Sequence, residues 1–584
     1  MAAPSETQGG IPPRSFYSKK GVTARDVLER IAHGDDVSDF SDLSESDDEE
    51  WNPPDNCAPD DDESDQEVQA DGDCGPTISS SSLPRNGWEK ELLKASHPEF
   101  SRTFGYVDEQ DTPIALFRKF LTKEMLEMLV QHTNLYSTQK CGSSVNTDLQ
   151  ELEQYIGMYL QMGLVKMPNV RCYWENGTRH SPIADVMSRN RFTKLMRSLH
   201  VVNNLEVTDG QKEDKLWKLR PWLTKLQQNF QAIEQEEWNA VDEIMVSFTG
   251  RSHLKQYIPN KPAPWGFKLW GRAGTTGILY QFDVYQGHSK QKYTFGLGGD
   301  TVLSMCSEVP PNEGFKVAAD NFFSTLDLVD KLTKRGIQYV GTLRQNRMRD
   351  CKMMDEKSLK KRGQGSYDHR VNNQKGIAVV RWFDRKAVTL VSNFVAVEPV
   401  ETVKRYDRKA REHVDVPRPA IVALYNSFMG GIDQHNYQVS LYKFNIRSRR
   451  WYLYIFYHTI IMCVVNAWNI HRRQCTQLKE KPMKLRTFIA SVAESLSLSG
   501  KARRGRPSCL PSPSAKKRKV SSRGLQDDVR RDGVGHWPLV TSKRLRCKHC
   551  VPEENHFSSI KCSKCDVTLC MNKDRNCFYE YHKP

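Results

Sequence analysis

Soft metal ligands crowd the C-terminal end of the chain. Cys547-x2-Cys550 and Cys562-x2-Cys565 are followed by Cys570, Cys577 and His582. Thiolates spaced in this way let one turn offer two sulfurs to a tetrahedral Zn2+. Two such pairs with three further ligands ask for two Zn2+ ions in a cross-braced finger. The eighth ligand is His536, in GHWPL, or His556. A segment this polar has little to fold around without metal. No thioredoxin-like βαβ unit surrounds the pairs, which argues against a redox use. Such a finger can bind DNA or protein. A protein-interaction module of the ubiquitin-ligase type fits the cross-brace but leaves the long α/β body unexplained.

Three acids stand out by context. Asp242 opens a strand in NAVDEIMV, Asp320 ends one in KVAADNFFS, and Asp433 follows a glycine pair and precedes a helical pattern in YNSFMGGIDQHNY. A single acid at a strand end is usually a cap or a turn former. Two strand-borne carboxylates and one helix-borne carboxylate can instead converge on two Mg2+ ions about 4 Å apart, which would activate an attacking oxygen and steady a leaving 3′ oxygen. Hard oxygen ligands suit that ion, and acids clustered in a basic groove repel unless cations lie between them.

Positioning these acids needs an ordered body, and the pattern supplies one. From about Pro113 to Glu237, ALFRKFLTKEMLEMLVQH, TDLQELEQYIGMYLQMGLV, MSRNRFTKLMRSLHVV and KLWKLRPWLTKLQQNFQAI repeat apolar residues at three and four, the period of a helix. The last two present Arg and Lys on the opposite face, where phosphates or plain solvent can meet them. From Val241 to about Arg344 strands and helices alternate: ILYQFDVYQG, FKVAADNFFS, STLDLVDKLTKRG, IQYVGTLR. This predicts an α/β core. Residues 346–417 are more polar and then strand-like (GIAVVRWF, AVTLVSNF), and are expected to form a small inserted β-rich module. Helix returns over 440–500. The apolar run Tyr452 to Trp468 is short for a membrane span and holds His458 and Asn466, so a buried helix is expected and no membrane partner.

Length and charge bound the class. At 584 residues the chain is too long for one core. Between Asp35 and Asp73 stand 18 acids and no Lys or Arg, so the +14 total leaves +32 on the remainder. A basic body with an acidic N-terminal tail points to a polyanion, most simply nucleic acid. The tail is predicted to be disordered and to shield the body from unspecific DNA, with phosphorylation of the serines in SDFSDLSESDDEE strengthening the effect. MAAPSETQGG lacks the apolar stretch of a secretory leader, so the 15 cysteines are expected to be thiols or metal ligands. In the basic linker, Arg504 and Arg506 of RGRP resemble an AT-hook laid in a narrow minor groove, and Lys516, Lys517, Arg518 and Lys519 of AKKRKV resemble a nuclear localisation signal, read by an import receptor.

Taken together, the chain resembles a piggyBac-family transposase. The matching text is MSRNRFTKLMRSLHVVNN with KLWKLRPWL, VDEIMVSFTGRSHLKQYIPNKPAPWGFKLW, ADNFFSTLDLVDKLTKRGIQYVGTLRQNR, YNSFMGGIDQHN and the tail CKHC…CSKC…LC…CFYEYH. The resemblance runs from about residue 100 to the end. It implies an RNase H-like catalytic core whose D-D-D triad is Asp242, Asp320 and Asp433, using Mg2+ (or Mn2+), with Glu243 in a supporting role. It further implies excision by 3′ nicking and hairpin formation, joining at TTAA sites, a dimer or larger assembly on double-stranded DNA, and a cysteine-rich tail bound to the element's terminal repeats. Arg344 and Arg347, in GTLRQNR, match positions beside target DNA. One departure stands out: where the family often carries a further acid, this chain has Asn436, which can still offer a carbonyl oxygen to metal. That change keeps a second reading open, a domesticated, non-catalytic DNA-binding protein on the same fold.

The expected organisation is therefore a multidomain α/β protein: a disordered tail over 1–95; a helical dimerisation and DNA-binding domain over 96–237 and 441–500; a catalytic core over 238–345 and 418–440; an insertion domain over 346–417; a basic linker over 501–535; and a zinc-binding domain over 536–584.

Overall fold

The computed structural model describes residues 87–95, 97–259, 261–287, 293–407, 411–500, 530–531, 535–551 and 556–583. The acidic run, the Arg504 and Arg506 arm and the Lys516, Lys517, Arg518, Lys519 run lie outside the described residues. The chain divides into two compact units, Met1–Lys501 and Ala502–Pro584.

In the first unit, helices start where a short polar side chain accepts a free backbone N–H. Thr112, Thr122, Asp148 and Ser188 do this for α1 (Pro113–Phe120), α2 (Lys123–Cys141), α3 (Leu149–Leu164) and α4 (Arg189–Ser198). Helix α5 (Arg220–Gln231) begins with a proline in its first turn, where no N–H is missed.

The sheet follows. Strands β1 (Trp238–Ser247), β2 (Lys255–Tyr257) and β4 (Leu279–Val284) each pair antiparallel with β3 (Trp265–Gly274), β1 along one edge and β2 and β4 at successive stretches of the other. After α6 (Gly296–Met305), β5 (Lys316–Ala319) lies parallel to β1. After α7 (Leu326–Lys334), β6 (Gln338–Thr342) lies parallel to β5. Alternate residues of β5 enter different cores. Val317 and Ala319 pack with Leu328 and Val329 of α7, and Ala318 packs on the other face. The sheet is thus the middle of three layers, with both of its faces covered.

The expected inserted module at 346–417 needs correction. Past α8 (Glu356–Arg362), strands β7 (Tyr367–Asn372), β8 (Ile377–Phe383) and β9 (Ala387–Ser392) extend the same sheet, giving the order β2-β3-β1-β5-β6-β9-β8-β7 with β4 also on β3. The reason is burial: every residue of β8 is buried, with Val379 in the core of Val317 and Tyr339 and Val380 in that of Ala318. Only β10 (Glu401–Asp407) and β11 (Glu412–Arg418) form a separate hairpin. The expected tail boundary at 95 also moves. Glu89 bridges Val371 of β7 through backbone bonds of 2.9 and 2.8 Å, and Lys90 pairs with Asp368 at 3.0 Å.

Four helices complete the unit: α9 (Ala420–Phe428), α10 (Gly431–Tyr442), α11 (Trp451–Gln477) and α12 (Leu485–Ser497). Helix α11 packs on α1, and α12 packs on α3 and α1, so the two separated helical segments form one layer. That layer is continuous with the sheet: Leu152, Phe456 and Ile460 share a core with Ile244, Val246 and Leu269. Although α11 is long and apolar enough to cross a membrane, most of its apolar surface is buried inside the protein.

Candidate active site and thiolate clusters

The three acids meet at one end of the sheet. Val241 of β1 is the partner of Ala319 of β5 in a parallel ladder, so Asp242 and Asp320 occupy the next rung on adjacent strands. Neighbouring strands lie about 4.8 Å apart, and the carboxyl ends of parallel strands form a natural crevice. Asp433 arrives from the first turn of α10. That approach needs glycine: a Cβ on Gly431 would stand 2.5 Å from the Gly274 carbonyl of β3, and one on Gly271, the partner of Asp242, would stand 3.0 Å from Ile432.

The three acids act on shared neighbours. Burial pushes the Asp242 carboxyl up to about 7; the charges of Glu243 and Asp320 add to it, while Lys261 and the Glu243 N–H oppose. Burial also raises Asp320, against the N–H groups of Phe322 and Phe323. On α9, the Tyr425 phenol is pushed up to about 12, first by burial and then by Asp320, Asp242 and Asp433 together. One side chain thus feels all three carboxylates. Their oxygens are spread more widely than a single-ion cage: among the described residues only the two clusters below gather ligand atoms within 4.8 Å of one another.

Second-rank contacts fix the loops. Glu243 is held by Lys261 at 3.1 Å and Lys268 at 3.5 Å. The Lys268 ammonium lies 4.1 Å from the Trp270 ring centre and 4.8 Å from that of Phe322. Asn436 donates from its amide to the Glu243 carbonyl at 3.4 Å. Arg347 donates to the carbonyls of Phe322 (2.8 Å), Asn321 (3.1 Å) and Ser324 (3.3 Å), and so braces the loop that carries Asp320; Arg344 reaches Asn321 at 3.4 Å.

A basic cleft of about 580 Å³ lies in the helical layer between the end of α2, the start of α4 and residues 447–450. Arg189, Lys194 and Arg197 of α4 line it with Arg447 and Arg449, and no Asp or Glu does. The sequence marked the basic face of α4; it did not mark the second wall, which comes from a loop some 250 positions away in the chain.

In the second unit, β12 (Pro538–Arg546) and β13 (Phe557–Cys562) pair, and α13 (Cys577–His582) closes the chain. All eight expected ligands gather into two sets, His536, Cys562, Cys565 and His582, and Cys547, Cys550, Cys570 and Cys577. The sets interleave along the chain, which is a cross-brace. His536 is the eighth member, whereas His556 bonds Arg575 instead. Zn–S bonds of about 2.3 Å put tetrahedral sulfurs about 3.8 Å apart. Cys550 Sγ stands 3.9 Å from Cys570 Sγ and 3.5 Å from Cys577 Sγ, and His582 Nε2 stands 3.3 Å from Cys565 Sγ. His582 Nδ1 lies 2.7 Å from the Phe578 carbonyl, which can only accept; the proton is therefore on Nδ1, and a bare Nε2 faces the thiols. Burial opposes ionisation of Cys547, yet the N–H groups of Cys550, His549 and Cys570 hold it at about 7, while burial and Cys547 push Cys570 up to about 12. Pooled thiols with no cation among them cannot all ionise.

Comparison with known proteins gives the family. The family model described as Transposase IS4 matches residues 112–468, more than half the chain and a span containing all three acids. The class is therefore that of a transposase. Human PiggyBac transposable element-derived protein 3 is 30% identical over 479 residues, covering 81% of this chain and 76% of that protein. Human PiggyBac transposable element-derived protein 2 is 29% identical over 483 residues, covering 80% and 78%. A cryo-EM structure of the piggyBac transposase synaptic complex with hairpin DNA superposes with a TM-score of 0.59 at 19% identity, over 81% of this chain and 98% of that one. The chain belongs to the piggyBac family.

Proposed function

We propose that the chain is a D-D-D DNA transposase that nicks the 3′ ends of an element, resolves them through hairpins and joins the excised element at TTAA sites. The observation that supports this reading most is that Asp242 and Asp320 share one rung of adjacent parallel strands, with Asp433 in the first turn of α10, the helix whose Gly431 packs closely against β3. The strand order β4-β3-β1-β5-β6, antiparallel and then parallel, supports an RNase H-like core. Asp242, Asp320 and Asp433 would hold Mg2+ or Mn2+, and the donor set fits: hard oxygens, of which that of Asp242 is pushed towards neutrality first by burial and then by the charges of Glu243 and Asp320. When bound, the ions supply Lewis-acid activation of the attacking oxygen and stabilise charge at the 3′ oxygen. The chain's own part is to hold the carboxylates, through β1, β5 and α10, and to brace the Asp320 loop with Arg347.

DNA is the partner this reading requires. The basic cleft at Arg189, Lys194, Arg447 and Arg449 suits a phosphate backbone, with Arg344 and Arg347 nearer the acids and Arg504 and Arg506 in the linker. Two Zn2+ ions would organise the tail that reads the terminal repeats. Assembly as a dimer and nuclear import through Lys516, Lys517, Arg518 and Lys519 belong to the same proposal. A domesticated, non-catalytic DNA-binding protein is the second reading, favoured by Asn436, whose amide is turned to the Glu243 carbonyl. The test is purified protein on a terminal-repeat duplex with Mg2+, wild type beside Asp320→Asn. Metal-dependent nicking by wild type alone supports the transposase. Zinc-dependent binding with nicking by neither supports the second reading, and equal nicking by both removes Asp320 from the site.

A further inference from the structure

Two of the three acids ride on hydrogen-bonded strands, whereas Asp433 depends on how α10 is set. That helix starts with no side-chain cap. Its anchoring lies instead on the turn between β3 and β4. Gly431 touches the Gly274 carbonyl, and one turn later the fully buried His435 places Nδ1 2.9 Å from the Gly277 carbonyl. A carbonyl only accepts, so Nδ1 carries the proton. Asn469 of α11 donates to the same carbonyl at 3.1 Å and to Gln438 Oε1 at 2.7 Å. One turn back, Asn466 donates to the Leu279 carbonyl at 2.7 Å and accepts from the Leu279 N–H at 2.9 Å. Gly277 sits at φ +87°, open only to glycine without strain, so the chain pays for a turn that aims this carbonyl at two helices.

The contacts at 431, 435 and 438 fall on one face of α10, and Asp433 falls on the exposed face. His435 is costly as a mere core residue. Its Nε2 has no partner among the described residues, an orphan that a Leu or Met there would not create.

We propose that His435 is the positioning residue for the third acid, its Nδ1–H bond to the Gly277 carbonyl fixing the rotation and depth of α10 so that Asp433 addresses the crevice of Asp242 and Asp320. This rests on the reading of Asp433 as the third acid. The test compares His435→Leu, His435→Asn and His435→Gln in the full chain. Asn can place an N–H near the Nδ1 position; Gln reaches towards Nε2; Leu offers none. In protein without added Mg2+ or Mn2+, the tail zinc left in place, amide exchange in α10 should speed up about tenfold in the Leu variant, the equivalent of one lost buried hydrogen bond, and stay near wild type in the Asn variant. The Mn2+ concentration for half-maximal nicking should rise about tenfold with Leu and little with Asn, with DNA affinity unchanged in both. Wild-type exchange and wild-type metal dependence in the Leu variant would overturn the proposal. Where Leu fails to fold, Asn against Gln decides: Asn alone near wild type supports it, and identical behaviour of the two overturns it. The exchange measurement needs no catalysis, so a wild-type chain that never cuts DNA would sink the function and still leave the clamp tested.

Discussion

The acid crevice and the thiolate tail hold their ligands by opposite means. Around Asp242 and Asp320 the fold comes first: buried apolar residues on both faces of the sheet define the strands, and the carboxylates are a polar exception, Asp320 just past the end of β5 and Asp242 in the middle of β1 rather than at its expected start. In the tail the ligands are the core. Cys547, Cys562, Cys565, Cys570 and Cys577 are buried beside little more than Leu569 and Phe578. A metal site of the first kind is a tenant of its fold, and one of the second kind is its foundation.

Metal removal should break this comparison most visibly. Chelation of the full chain should bring amide exchange in residues 535–583 to the rate of an unfolded segment while α11 stays protected. A tail that stays protected without metal would make the clusters incidental. The next largest effect is local. Asp320→Asn should lower nicking by about a thousandfold or more with terminal-repeat binding and melting temperature retained, measured on the same preparation.

Asp242 sharpens the contrast through pH. Its folded carboxyl is raised to about 7, so the folded state binds the extra proton and metal-free stability should fall as pH rises from about 4 to about 7. Asp242→Asn should flatten that fall and raise the metal-free melting temperature at pH 8 by about 2–4 °C. A steeper pH dependence in the variant would contradict the burial argument. A smaller loss is expected for Arg347→Leu, about 1–3 kcal/mol by denaturant unfolding, because three loop carbonyls lose their donor. The smallest effect concerns the acidic run: deleting residues 1–86 should raise unspecific DNA binding at low salt and leave it unchanged at high salt. The cut stops at 86 because Glu89 and Lys90 belong to the sheet edge.

What could be read from the sequence follows the range of the interactions. NAVDEIMV and KVAAD show their strands by local pattern, and the glycine pair before Asp433 marks a close approach. The pairing of the cysteines into two sets, and the choice of His536 over His556, depend on which loops meet, and local spacing is silent on that. Residues 346–417 looked like a module because their basic, polar stretches are local, whereas the pairing of β9 with β6 is not. His458 and Asn466 marked α11 as buried rather than membrane-spanning; that Asn466 bonds both backbone groups of Leu279 is visible only in the fold. His435 gave no signal at all, a single imidazole beside a more obvious acid.

The most direct test of the central claim is donor-plasmid excision in cells, using the element's own flanking ends, with wild type and Asp320→Asn side by side. The account predicts footprint-free excision at TTAA by wild type and none by the variant. Equal excision by both would contradict the assignment of the acid crevice, and excision by neither, with zinc-dependent binding to the same ends retained, would contradict the claim that this chain is a working transposase.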